Sequence, residues 1–125
     1  MKPLVTKMSK QYKWYKIIEN ENLLQWQSNN MCIAEANGKK ITLAKHNNTI
    51  LAFVYKCPHA GGILADGFID TLGNVVCPLH RYKFSIHNGR NVSGEGYYLK
   101  TFPIEIREDG IYVGFAEEGF FSFLH

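Results

Sequence analysis

Two short runs of this sequence, CPHAGG and CPLHRY, constrain the chain more than any other feature. Each run holds one cysteine and one histidine. Together they place Cys57, His59, Cys77 and His80 in the order C-x-H, 17 further residues, C-x-x-H. Two thiolates and two imidazoles form a complete set of metal ligands. The repeated Cys-Pro format therefore predicts two similar loops that close on one metal site.

The residues around the cysteines suit such loops. An apolar, strand-like run leads into each cysteine and would deliver it to the tip of a β-hairpin. Pro58 and Pro78 fix the backbone directly after the cysteines, while Gly61 and Gly62 let the backbone approach closely and direct N–H groups inward. A Cys2His2 zinc site is one interpretation. The tight Cys-x-His pair, in a chain long enough to fold without metal, favours an iron–sulfur site instead.

Turn signals at short intervals predict an all-β fold of many short antiparallel strands. Asn37-Gly38 is a strong hairpin signal between strands at residues 31–36 and 39–45. No segment has a sustained 3.6-residue apolar period, and residues 21–27 fit either a short helix or a strand-edge loop. Further strands are predicted at residues 50–55, 75–76, 83–87, 102–107 and 111–115.

Length and composition indicate one globular domain, residues 1–125. The chain is 46% hydrophobic and 20% charged, which is ordinary for a protein with a core of its own. A net charge of +3 is too small to indicate nucleic-acid binding. Residues 1–12 are predicted to form a basic, solvated arm, with a partner-docking element as the alternative. Five lysines precede the first acidic residue: Lys2, Lys7, Lys10, Lys13 and Lys16.

Cysteine usage and hydropathy indicate the compartment. Three cysteines do not describe a disulfide framework, and two of them belong to the metal motif. The third, Cys32, is predicted to be a small buried hydrophobic residue. The N-terminus shows no apolar signal segment, and no run approaches the roughly 18 apolar residues of a membrane helix. We therefore expect a cytoplasmic protein that does not contact a membrane.

Beyond the four candidate ligands, the chain resembles the Rieske-type [2Fe–2S] ferredoxins. The similarity extends over residues 41–115, through CPHAGG, an Asp-Gly pair, CPLHRYKF, an Asn-Gly turn and a final Glu-Asp-Gly turn. The resemblance implies the fold of that family, a sandwich- or barrel-like core of antiparallel sheets. It also implies a small cluster-binding subdomain, at about residues 56–100, that consists of the two metal loops.

The same resemblance assigns roles to the candidate ligands. Cys57 and Cys77 are expected to hold a buried iron, and His59 and His80 an outer iron near the surface, in one [2Fe–2S] cluster per chain. No catalytic constellation is visible, so we expect an electron-transfer protein rather than an enzyme. Its expected partners are a flavin- or NAD(P)H-dependent reductase and a terminal oxygenase or similar acceptor, and the ferredoxin itself is expected to be a monomer.

Two alternative functions stay open. One is a small Rieske subunit of a larger reductase, such as nitrite reductase. That family shares the fold but often lacks the ligands, all four of which are retained here. The other is a zinc-binding module without redox function. In the ferredoxin interpretation, Lys56, Arg81 and Lys83 flank the ligands and are expected to steer charged partners.

Departures from the family pattern also carry predictions. High-potential members join their two loops by a disulfide, but here Gly62 and Leu79 occupy those positions. The serine and tyrosine that donate hydrogen bonds to sulfur in those members correspond to Tyr82 and Phe84. The resemblance therefore implies a low reduction potential. The loop that covers the cluster in the family, here residues 91–98, contains no proline.

The remaining candidates receive simpler interpretations. Tyr97 and Tyr98 are expected to pack in the core, with shielding of the cluster or partner docking as the alternative. The apolar segment 119–125 is expected to dock on the domain, with an oligomer or partner contact as the alternative. Three histidines outside the motif are predicted to be plain surface residues: His46, His87 and His125.

Overall fold

The computed structural model of the protein describes residues 11–94 and 96–117. Within them, ten strands form three antiparallel sheets, which confirms the predicted all-β fold. The strands are β1 (Tyr12–Ile18), β2 (Met31–Ala36), β3 (Lys39–His46), β4 (Thr49–Val54), β5 (Phe68–Ile69), β6 (Asn74–Val76), β7 (Lys83–Ser85), β8 (Thr101–Phe102), β9 (Ile104–Arg107) and β10 (Gly110–Ala116). Helical structure in the described part is limited to two 3-10 turns, Glu21–Leu23 and Leu64–Asp66. No described helix is long and apolar enough to cross a membrane.

The central sheet, in the order β2-β3-β4-β8, grows from two hairpins whose turns are readable in the sequence. Asn37 and Gly38 have φ values of 52° and 74°. This is the left-handed conformation that a two-residue hairpin turn requires. Asn47 and Asn48, with φ values of 52° and 64°, make the corresponding turn between β3 and β4. The second hairpin leads the chain directly towards Cys57.

The strand predicted at residues 102–107 is two strands in the structure. β8 ends at Phe102 and β9 begins at Ile104, and the two belong to different sheets. Pro103 lies between them and has no N–H to donate to a ladder. Its carbonyl accepts a hydrogen bond from Gly114 at 3.0 Å. The chain therefore passes at this proline from the central sheet to the sheet ordered β1-β10-β9.

Strand β1 overlaps the predicted basic arm, residues 1–12, only at its last residue. Tyr12 already begins the strand, which pairs with β10 along its length. Lys13 and Lys16 are exposed residues of this strand rather than of an arm. Residues 1–10 lie outside the described part of the chain, as does the apolar segment 119–125.

Two apolar cores separate the sheets. The first lies between β1, β9 and β10 and the central sheet, and includes the fully buried Ile41 and Val113. The second lies between the central sheet and the small sheet β5-β6-β7, and includes the fully buried Phe53 and Phe84. Both motif cysteines belong to this second core. The strands that carry the candidate metal loops are therefore rigid and well packed.

Candidate metal centre

The two Cys-His runs form loops of the same design at hairpin tips, as the sequence predicts. The first loop, residues 57–62, follows β4 and is closed by an antiparallel bridge between its flanking residues. The second loop, residues 77–82, connects β6 to β7. In each loop the cysteine N–H donates to the carbonyl five residues further on. The pairs are Cys57 with Gly62 and Cys77 with Tyr82, both at 2.8 Å.

The two motif thiols are buried and lie together. Cys57 is 3% exposed and Cys77 is fully buried. Neither is in a disulfide, and their side chains lie within hydrogen-bonding reach of each other. Burial raises the pKa of the Cys77 thiol, the backbone N–H of Leu79 at 3.4 Å lowers it, and the neighbouring Cys57 raises it again. Since two adjacent buried thiolates repel each other, a bound cation is what stabilises both in the deprotonated form.

Gly62 brings the first loop against the second. A Cβ at this position would lie 3.1 Å from the Cys77 sulfur and 3.0 Å from Cγ of Leu79. The backbone N–H of Gly62 donates to the Cys77 side chain, which lowers the pKa of that thiol. The inward-directed N–H group that the sequence predicts at Gly62 is therefore present, and it faces sulfur.

The two motif imidazoles are exposed and share an aromatic neighbour. The Tyr82 ring centroid lies 4.2 Å from that of His59 and 5.9 Å from that of His80. His59 also lies against Tyr97, with centroids 4.4 Å apart. The expectation that Tyr97 and Tyr98 pack in the core is wrong, because they are 46% and 68% exposed.

The donor set fits a two-metal group better than a single ion. Within the described residues, no three Cys, His, Asp or Glu side chains converge on one metal position. A structural zinc ion needs four donors around one point. The structure instead divides the motif side chains into a buried pair of thiols and an exposed pair of imidazoles, and such a division of donors suits two irons with two ligands each.

The other candidate side chains lie elsewhere. His46 and His87 meet edge to face, with ring centroids 6.0 Å apart. Both approach Gly73, which precedes β6, whereas Cys77 follows its other end. Cys32 is 2% exposed, as expected of a small apolar side chain, and burial raises the pKa of its thiol to about 11.

Backbone strain is concentrated in the second loop. His80 and Arg81 have φ values of 63° and 58°. Histidine adopts the left-handed conformation more often than most residues, but arginine does not. This conformation costs a residue with a Cβ about 1–2 kcal/mol. Residues held in such a conformation at a loop tip point to a geometric requirement there. No sequence signal indicated it, because neither glycine nor asparagine marks the position.

We expect Arg81→Gly to be about 1 kcal/mol more stable than Arg81→Ala, since only glycine adopts a positive φ without a Cβ clash. Both variants lose the same charge, so their difference isolates the backbone effect. Denaturant unfolding of the two proteins measures it. Equal unfolding midpoints would show that the left-handed geometry at this residue is not strained.

Comparison with known proteins places the fold and its two loops in context. The model of the Rieske [2Fe-2S] domain family matches residues 13–103 of the chain. The ferredoxin component of the alkene monooxygenase system of Xanthobacter autotrophicus is 24% identical over 84 residues, which cover 67% of this chain and 69% of that protein. The 3-phenylpropionate/cinnamic acid dioxygenase ferredoxin subunit of Photorhabdus laumondii is 27% identical over 79 residues, 62% of this chain and 75% of that protein.

A solved structure shares the same architecture. A protein described as an NADH-dependent nitrite reductase small subunit from Mycobacterium tuberculosis superposes with a TM-score of 0.69. The alignment covers 84% of this chain and 96% of that one, at 16% sequence identity. This similarity concerns the fold. The family match is more specific, because it includes both Cys-His loops and most of the chain. The chain therefore belongs to the Rieske [2Fe–2S] domain family, and its cofactor is a [2Fe–2S] cluster.

Proposed function

We propose that the chain is a Rieske ferredoxin in which Cys57 and Cys77 bind one iron and His59 and His80 bind the other. The observation that carries this proposal is the division of the four side chains into a buried thiol pair and an exposed imidazole pair. Rieske centres divide their cysteine and histidine ligands between the irons in the same way. When bound, such a cluster takes up and releases one electron.

The residues of the chain would control that exchange in three ways. The apolar core around Cys57 and Cys77 keeps water from the sulfur atoms. The N–H groups of Gly62 and Leu79 stabilise negative charge on the Cys77 sulfur. The rings of His59 and His80 are exposed and would carry the electron between the cluster and a partner at the surface.

We further propose that the electron passes from a reductase to a terminal oxygenase. The two relatives named above support this, since one is the ferredoxin of an alkene monooxygenase system and the other of a dioxygenase. Exposed cationic side chains flank the loops, at Lys56, Arg81 and Lys83, and suit an acidic docking surface. We place this carrier in the cytoplasm, as a monomer with a single domain.

A second candidate function is that of a small subunit within a larger reductase. The observation in its favour is the similarity of fold to the nitrite reductase small subunit. Purification under native conditions distinguishes the two, because a stable complex with a large subunit would favour the second candidate. A chain that purifies alone with its cluster favours the free carrier.

The decisive experiment is to reduce anaerobically purified protein with dithionite and record its EPR spectrum, together with iron, sulfide and zinc analysis. We expect a rhombic Rieske-type signal with equal amounts of iron and sulfide and no zinc. A silent spectrum with one zinc per chain would overturn the proposal and identify a structural zinc module.

We expect a reduction potential towards the lower end of the roughly −150 to +300 mV range of Rieske centres. Phe84 lies fully buried in the core beside the cysteines and has no hydroxyl to donate to sulfur. With fewer donors, the more negative reduced state is less stabilised. Protein-film voltammetry measures the potential. A value near the upper end would show that other donors compensate for the missing hydroxyl.

A further inference from the structure

We propose that Tyr97 is a positioning residue that covers His59 and makes the two histidines unequal. One histidine is held by two tyrosine rings, and the other is held by one. The inference rests on the proposed function, since it concerns how this chain orients one of the proposed ligands.

The ring geometry around His59 carries the proposal. Tyr97 lies 4.4 Å from it at an interplanar angle of 35°, so one ring overlies the other. Tyr82 meets it at 4.2 Å and 73°, in an edge-to-face contact. Two aromatic contacts of this kind restrict both the tilt and the position of an imidazole. His59 is therefore clamped by its neighbours.

His80 lacks a comparable enclosure. Among the described residues its aromatic neighbour is Tyr82 alone, at 5.9 Å. Both histidines are exposed, so they differ in their ring contacts. Its backbone is in the strained left-handed conformation. The contrast assigns different tasks to the two rings, with His59 as the one fixed by two ring contacts and His80 as the one free to adjust to a partner.

The loop that carries Tyr97 is anchored on both sides of the ring. Before it, Val92 N–H donates to the Lys83 carbonyl at 3.0 Å, and the Ser93 hydroxyl accepts from the Lys83 N–H at 3.0 Å. After it, Leu99 is buried and its N–H donates to the Gly89 carbonyl at 2.8 Å. These bonds tie the loop to the β7 hairpin, which also carries the second metal loop.

This anchoring explains how a loop without proline can still cover the site. Tyr97 is 46% exposed, which fits a ring with one face on His59 and the other towards solvent. The adjacent Tyr98 is 68% exposed and makes no ring contact among the described aromatic pairs. The two tyrosines therefore form a matched pair, in which Tyr97 contacts His59 and Tyr98 makes no ring contact.

The test compares Tyr97→Ala with Tyr98→Ala in the full-length, cluster-loaded protein. The first readout is the rate at which the visible absorption of the cluster is lost in the presence of an iron chelator. We expect Tyr97→Ala to lose its cluster about 2- to 12-fold faster than wild type, the range that one aromatic contact supports. Tyr98→Ala is expected to match wild type, and Tyr97→Phe to restore the slow rate.

A second readout separates positioning from general stability. Removing Tyr97 admits water to the cluster edge, which favours the more negative reduced state, so the reduction potential should rise. The EPR g values should also change, because the His59 ring is freed. Tyr97→Leu, which keeps apolar volume but no aromatic face, should change the g values in the same way while raising the potential less, because it admits less water.

Three outcomes would count against these proposals in different ways. If Tyr97→Ala and Tyr98→Ala behave alike in rate, potential and spectrum, the positioning role is wrong and the ferredoxin proposal stands. Faster cluster loss in Tyr97→Ala with an unchanged potential and spectrum would also reject it, in favour of loop stability alone. A wild-type protein that binds no iron would overturn the proposed function, and the role of Tyr97 with it.

Discussion

Replacing Cys77 by alanine is expected to abolish cluster binding, with iron falling from the wild-type content to background. Cys77 is fully buried and accepts N–H bonds from Gly62 and Leu79. Without its sulfur, Cys57 alone would anchor the buried side of the site. Because the thiolate is the ligand, alanine leaves that iron with only one of its two proposed protein ligands. Iron and sulfide analysis with the visible spectrum measures the loss.

Cys32 provides a matched control for this experiment. It is equally buried, at 2% exposure, but belongs to the first core, away from the loops. Cys32→Ala should keep the full cluster and lose only a little stability, since a small cavity is created. If both variants lost the cluster, the effect would be one of folding. If Cys77→Ala kept it, the proposed ligand set would be wrong.

The histidines allow the same comparison. His59→Ala and His80→Ala are expected to lose the cluster or its Rieske-type EPR signal, whereas His46→Ala and His87→Ala should retain both. The last two lie against Gly73, at the other end of β6 from the loops. Retention of a normal signal in His80→Ala would exclude that residue as a ligand.

The predictable part of the fold is the part that local chemistry determines. A two-residue hairpin turn requires positive φ values, which Asn-Gly adopts more easily than most pairs. The β2-β3 hairpin could therefore be predicted from Asn37 and Gly38. Strand β1 could not, because its two lysines, Lys13 and Lys16, continue the basic run of the N-terminus. Only its pairing with β10, nearly a hundred residues away in sequence, shows that it is a strand.

The candidate site divides in the same way. Spacing alone singled out the four motif residues, since two cysteines and two histidines rarely fall at these intervals by chance. Their surroundings depend on long-range contacts. Tyr97 overlies His59 only because Leu99 and Val92 tie its loop to another hairpin. The left-handed backbone of Arg81 is likewise imposed by the loop and not by the residue.

Gly67→Ala is the second substitution for which we expect a large effect, a destabilisation of about 3 kcal/mol or more. A Cβ here would lie 1.9 Å from the carbonyl oxygen of Val76 and 3.3 Å from Cδ of Pro78. The first obstacle is backbone, so no side chain can rotate away. Relief requires β5 to move from β6, and Cys77 lies between Val76 and Pro78. The unfolding midpoint should therefore move to a lower denaturant concentration, and the cluster content should fall with it.

Gly38→Ala separates this steric effect from simple strain. Gly38 has a φ of 74° and nothing within 4 Å of a Cβ, so alanine should cost only about 1–2 kcal/mol and leave the cluster intact. Gly67 has φ and ψ values of −91° and −143°, outside the regions that other residues favour, so backbone strain adds to the cost of the close approach. Chemical denaturation and iron content should therefore separate the two variants. Equal effects on stability, or a normal cluster in Gly67→Ala, would show that β5 can move without disturbing the second loop.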